Sequence, residues 1–166
     1  VNARQFALSV VYCAFALSRA VDRPVRFVGR AGDGPVGALG QRLGGLLEHP
    51  EEVGGALRAG ELVVCSTTAT RRPREVGVVD HALVGAALQA NAKVHPAATT
   101  SSPFGRRARI EVGPATRQRR PRRGSLAEVE LADDVGRDIE MLLTEMGNLR
   151  TGTPLDWLPL SGLGGN

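Results

Sequence analysis

The chain reads as a single α/β domain with a mixed central sheet flanked by helices, and three observations predict this. Segments of helical apolar spacing alternate with short β-type apolar runs, the order that marks an α/β domain. Pro24, Pro50 and Gly60 fall at the boundaries between such segments, where chain direction has to change. The 166 residues, 42% hydrophobic and 23% charged, suit one globular domain of residues 1–166. That balance excludes wholesale disorder, collagen-like repeats and a polytopic membrane protein.

The elements follow in order. Arg4 to Ala20 is apolar on nearly every side and predicts a buried or membrane-facing helix. Its apolar stretch, Phe6 to Leu17, is too short to span a bilayer. Arg4 before it and Ser18-Arg19-Ala20 after it resemble a signal peptide, but Arg19 suits no cleavage site. Val25 to Gly29 predicts a strand, Pro35 to Leu47 a Gly-spaced helix, and Pro50 to Ala59 a helix with Pro at its first turn and Gly60 just past its end. Leu62 to Cys65 reads as a central strand, and Ser66 to Gly77 as a Thr- and Arg-rich loop. Val79 to Asn91 is helical, with Leu83, Ala87 and Leu88 on one face. Val94 to Ala98 and Arg107 to Val112 are strands, the second turning its arginines out and Ala108, Ile110 and Val112 in. Ser125-Leu126-Ala127-Glu128 has the form of a capping box and opens a helix that runs to about Met146 and stops at Gly147. Residues 147–166 make an irregular, Pro-broken apolar tail.

Charge is unevenly placed. The formal net charge is +4, yet between Phe104 and Gly124 stand eight arginines and one acid, Glu111, so the remainder is slightly acidic. Such a patch suits phosphate groups. The cluster Arg117, Arg119, Arg120, Arg122 and Arg123 is expected to meet an anionic membrane surface, or else to be a solvated loop of an Arg-rich protein. It lacks interleaved aromatics, so nucleic acid is not expected as a partner. Cys13 and Cys65 sit in apolar runs and read as buried thiols in a reducing cytoplasm; no Cys/His spacing suggests a metal, and no cofactor is expected.

Four stretches carry a resemblance when taken together. They are Asp22-Arg23-Pro24-Val25-Arg26-Phe27-Val28-Gly29-Arg30, Leu57-Arg58-Ala59-Gly60-Glu61-Leu62-Val63-Val64, Val94-His95-Pro96-Ala97 and Gly105-Arg106-Arg107-Ala108-Arg109-Ile110-Glu111-Val112-Gly113. In this order and spacing they resemble the glycerolipid acyltransferases, the lysophosphatidate acyltransferase-like superfamily, over nearly the whole chain. The resemblance implies a glycerol-phosphate acyltransferase-like fold and the transfer of an acyl group from a thioester to a glycerolipid hydroxyl. Members use a His-x4-Asp motif, in which the histidine is the general base and the aspartate orients it. The corresponding stretch here is Asn2 to Leu8, with Ala3 at the histidine position and Leu8 at the aspartate position. Neither can take a proton, and no His-x4-Asp occurs elsewhere in the chain. The family's strand before that motif has no counterpart, and a start at Val1 points to a fragment or to a GTG start written literally.

A second family motif, Phe-Pro-Glu-Gly-Thr-Arg, helps hold the substrate's phosphate. Here Ser66-Thr67-Thr68-Ala69-Thr70-Arg71 stands in its place, keeping only Thr70 and Arg71, with Arg72 and Arg74 beside them. Thr70, Arg71 and Arg72 are therefore the expected phosphate grip, since guanidinium groups hold phosphate bidentately. The Gly-x-x-x-Arg segment of many members is replaced by Gly45-Leu46-Leu47-Glu48-His49-Pro50. Three independent losses predict a non-catalytic domain that binds a glycerophospholipid, an acyl thioester or a protein partner, cytoplasmic and peripheral to the inner face of the membrane. The alternative is a divergent active acyltransferase using His81 beside Asp80, or His95, as base, or Cys65 as nucleophile. The plainer reading of each is a packed or surface residue.

Overall fold

A computed structural model describes residues 8–29, 44–68, 76–101, 108–118 and 124–146. Within them the chain is a mixed α/β structure of helices α1 (Leu8–Val21), α2 (Pro50–Arg58), α3 (His81–Gln89) and α4 (Ser125–Glu145) and strands β1 (Val25–Val28), β2 (Gly45–Leu46), β3 (Leu62–Val64), β4 (Ala97–Ser101) and β5 (Ala108–Val112). Residues 35–43 of the helix predicted over Pro35 to Leu47, the tail 147–166 and Ala3 lie outside the described residues.

The strands form two hydrogen-bonded sheets where one mixed sheet was expected. β2, β1 and β3 are parallel in that order, with Phe27 opposite both Gly45 and Val64. β4 and β5 pair antiparallel, with Thr99 opposite Ile110. Because side chains alternate along a strand, the parallel sheet has two apolar faces. Phe27 and Val64 pack on one face with Val10, Cys13 and Ala14 of α1. Val28 and Leu46 pack on the other with Val53 of α2 and with Leu83 and Ala86 of α3. α1 thus covers one side of the sheet, and α2 and α3 cover the other.

α3 is buried on more than one side, which exceeds the single apolar face predicted for it. Its Leu83 and Ala86 meet the sheet side, while Val84 belongs to a cluster with Leu131, Val135, Ile139 and Leu142 of α4. Ala98 of β4, fully buried, closes that cluster. Ile110 of β5 joins the α1 cluster, so the ribbon presents one face to α1 and the other to α4. Val112 lies on the Ile110 face but is 44% exposed, against the inward expectation, because cover runs out at the strand's last residue.

Helix ends follow local rules. α2 closes with Gly60 at φ +79°, its N–H donating to Leu57 O at 3.0 Å and the Glu61 N–H to Ala56 O at 3.0 Å. α3 closes the same way on Asn91 at φ +53°, with the Ala92 N–H donating to Ala87 O. Both are Schellman closures, which favour glycine or asparagine at the left-handed position. At this amino end of the strands, the Arg23 guanidinium donates to Gly60 O at 2.9 Å, tying the α1–β1 turn to the α2–β3 turn.

Three local expectations are corrected. Gly45 and Leu46 are a strand, not the end of a helix: Gly44 at φ +93° leaves helical space just before them, and Leu46 O accepts from the Gly29 N–H. The strand expected at Val94–Ala98 begins at Ala97 instead. Pro96 has no N–H for a ladder, and Val94 O and Pro96 O accept single bonds from the Thr116 and Gly113 amides. Ser125–Glu128 is no capping box, since the cap is Gly124 at φ +107° and Ser125 is the first helical residue. Glu128 instead lies against Gly85 of α3, so close that a Cβ on Gly85 would sit 2.6 Å from its carboxyl carbon.

Candidate functional site at the carboxyl edge of the parallel sheet

In open parallel sheets, ligands bind beyond the carboxyl ends of the strands. Three segments meet that edge here. β2 leads out through Leu47, Glu48 and His49 into α2, and β3 leads out through Cys65, Ser66, Thr67 and Thr68. The third is the beginning of α1. A tight turn at Asp22–Pro24, with Asp22 at φ +51°, reverses the chain between α1 and β1, and the two then pack face to face. Running back along β1, α1 starts near the strand's carboxyl end.

The exit of β3 is fastened by two bonds. The Thr68 N–H donates to Val78 O at 2.9 Å, and the Val78 N–H donates to Thr68 Oγ1 at 2.9 Å. Gly77 is buried against this clasp: a Cβ there would lie 1.6 Å from Thr68 O and 3.0 Å from Thr67 Oγ1. Only glycine fits. Thr67 is itself buried, and Val76 packs on the α4 cluster. Asp80 then caps α3, its Oδ1 accepting from the Ala82 and Leu83 amides at 2.8 and 3.4 Å. Residues 69–75, which carry Thr70, Arg71 and Arg72, lie outside the described residues, but both of their anchors stand at this edge.

Cys65 lies on the same edge, half-buried. Burial, with the Asp80 and Glu48 carboxylates adding to it, pushes its thiol up to about 11. Such a thiol is protonated at neutral pH, the reverse of what a nucleophile requires. Burial also raises the thiol of Cys13, which is fully enclosed beneath α1.

The histidines divide differently. His81 is exposed as the first residue of α3, while Asp80 Oδ1 is committed to the helix cap. His49 precedes α2 at its N-cap and makes no side-chain capping bond. His95 is anchored: its Nδ1 lies 3.0 Å from Gly113 O, and since a carbonyl only accepts, Nδ1 carries the proton of that bond. His95 precedes β4, on the antiparallel ribbon, not on the parallel sheet. In the same ribbon Arg109 points outward as expected, its Nη2 3.2 Å from Glu111 Oε2.

Of the basic cluster, Arg117 is described and exposed; Arg119, Arg120, Arg122 and Arg123 lie outside the described residues. Among the described residues no group of three His, Cys, Asp or Glu is placed to hold a metal ion. A separate open groove of about 560 Å³ runs between α2 and α3, lined by Pro50, Glu51, Gly54, Arg58, Ala86 and Gln89. The clasp escapes sequence reasoning, because nothing local pairs Thr68 with Val78; the one signal is Gly77, at the end of a loop where glycine is easily read as mere punctuation.

Comparison of the chain with protein-family models, with curated proteins and with solved structures finds no match. No helix among the described residues is long and apolar enough to cross a membrane.

Proposed function

We propose that the chain is an acyltransferase-like domain of glycerolipid metabolism that binds, without catalysing transfer, the phosphate of a glycerophospholipid. The observation that carries this is the convergence at one sheet edge of the start of α1 and both anchors of the segment bearing Thr70, Arg71 and Arg72. In the superfamily the chain resembles, those two places supply the acid–base pair and the phosphate grip. Here Ala3 and Leu8 offer no ionisable group at the first, while the second keeps its arginines. A pair of guanidinium groups binds phosphate without needing the lost chemistry. Arg117 and the arginines after it add attraction to an anionic lipid surface, on the order of 1 kcal/mol for each basic residue near it. The domain then works at the membrane's inner face as a peripheral partner of lipid or of a competent enzyme.

The experiment is thiol release from acyl-coenzyme A with lysophosphatidate, beside cosedimentation with phosphatidate vesicles. No turnover, together with binding that Arg71→Ala with Arg72→Ala weakens, is the expected result. Turnover above a heat-killed control would overturn the non-catalytic reading. One observation favours that second reading: the His95 ring is fixed through Nδ1 to Gly113 O, as the ring of a general base is held in catalytic acyl transfer. Loss of any such turnover in His95→Gln would assign it.

A further inference from the structure

We infer that the outer face of α1, formed by Tyr12, Phe15, Ala16 and Arg19, is a docking surface for anionic lipid, on which the helix lies flat among the headgroups. The inference rests on the membrane location proposed above, but it uses no residue of the phosphate grip.

α1 packs one side on the parallel sheet through Val10, Cys13 and Ala14, with Leu17 beside them. At 3.6 residues per turn, Tyr12, Phe15, Ala16 and Arg19 fall on the opposite side. A helix on the surface of a domain normally carries its charges there. Here Tyr12 and Phe15 stand 64% and 62% exposed, in a chain with only six aromatic residues. Leu8–Val21 contains no carboxylate, and Arg19 is its one charge. The Arg19 guanidinium lies over the Phe15 ring, 5.9 Å from its centre, and has no ion-pair partner among the described residues.

An occupant of this face has to cover two aromatic rings and answer a positive charge. A second copy packed on it about a two-fold axis sets α1 on α1, which brings another Arg19 and no carboxylate. An anionic bilayer supplies both needs. Aromatic rings settle at the boundary between headgroups and acyl chains, and an arginine beside them keeps its stem on apolar surface while its head reaches phosphate. With 14 residues, α1 is about 21 Å long, which suits lying in that boundary rather than crossing it.

The test is cosedimentation with vesicles of phosphatidylglycerol in phosphatidylcholine, a lipid with the negative charge of phosphatidate but not its phosphomonoester. The protein should bind these vesicles, and Phe15→Ser should bind them about tenfold more weakly, since the ring is apolar area that the bilayer covers. Arg19→Gln should lose about fivefold, the contribution of one basic residue near such a surface. Both side chains are exposed, so both variants should unfold at the denaturant midpoint of the unsubstituted protein. Depth is read by fluorescence: Phe15→Trp combined with Trp157→Phe should shift blue with these vesicles and be quenched by brominated acyl chains.

Full binding by Phe15→Ser, no binding by the unsubstituted protein, or no blue shift with vesicles would each overturn the inference. A blue shift that grows with protein concentration in the absence of lipid, together with a dimer that Phe15→Ser dissociates, would assign the face to a second copy and overturn it as well. Failure of the phosphate grip gives a different pattern. Arg71→Ala with Arg72→Ala would then bind phosphatidate vesicles as the unsubstituted protein does, while Phe15→Ser still loses phosphatidylglycerol.

Discussion

Cys65 shows how position overrules residue type. A cysteine beside threonines and arginines at a sheet edge invites reading as a nucleophile, yet burial and two nearby carboxylates keep it protonated. Its raised value also carries a sign for stability. The folded thiol titrates at about 11 against an ordinary 9.0, so its contribution to stability is whole below pH 9 and is lost as pH rises through about 11. Alkylation by iodoacetamide, followed by mass spectrometry, should therefore be slow at pH 7 and reach half its maximum near pH 11. Asp80→Ala should move that midpoint downward, because it removes one of the carboxylates that disfavour the thiolate. The same substitution costs about 1 kcal/mol through the lost cap of α3, read in chemical denaturation. An unmoved midpoint would mean that burial alone holds the thiol.

At the scale of elements, α3 is the piece on which the two helical neighbours depend. It meets α2 through Ala86, whose methyl would lie 3.8 Å from a Cβ on Gly54, and it meets α4 through Gly85. Glu128 occupies the space a side chain at Gly85 would need. Gly85→Ala should therefore destabilise the protein by about 1–3 kcal/mol, the usual cost of overpacking. The obstacle is the far end of a flexible side chain, so Glu128→Ala should recover much of that loss. A double-mutant cycle in urea checks this, and strict additivity would show that Glu128 does not seat against Gly85. This contact is also why Ser125 and Glu128, legible as a capping box, are not one: the glutamate that would reach back to the helix start is held across the helix interface.

At the scale of the molecule, the apolar clusters are stitched together by a few elements that belong to more than one. α3 serves the sheet side and the α4 side, while the ribbon serves α1 through Ile110 and α4 through Ala98. Ile139, 1% exposed, sits where α4 meets α3 and β4. Ile139→Ala should cost about 2–5 kcal/mol of unfolding free energy, measured by chemical denaturation, as cavity-forming substitutions in packed cores do. A cost below about 1 kcal/mol would mean that α4 packs loosely on the remainder. The same layering puts the candidate edge in place, since the start of α1 and the exit of β3 meet only because α1 lies back along β1.

The sequence by itself determined the helices, most of the strands and several of their ends. Those are local matters: apolar spacing identifies α4, Pro50 opens α2, and Gly60 and Asn91 close α2 and α3 with bonds that span a few residues. The candidate edge was legible in the same way, as a Thr- and Arg-rich loop following an apolar strand. Only the tertiary structure decided that Gly45–Leu46 is a strand, that the strands form two sheets, that Cys65 is a protonated thiol, and that Thr68 is fastened to Val78 with Gly77 beneath. Each of those depends on groups distant along the chain, such as Val28 for Leu46, Glu48 and Asp80 for Cys65, and Val78 for Thr68. Neighbours along the chain set backbone preference, whereas pairing, burial and charge proximity exist only once the chain has closed on itself.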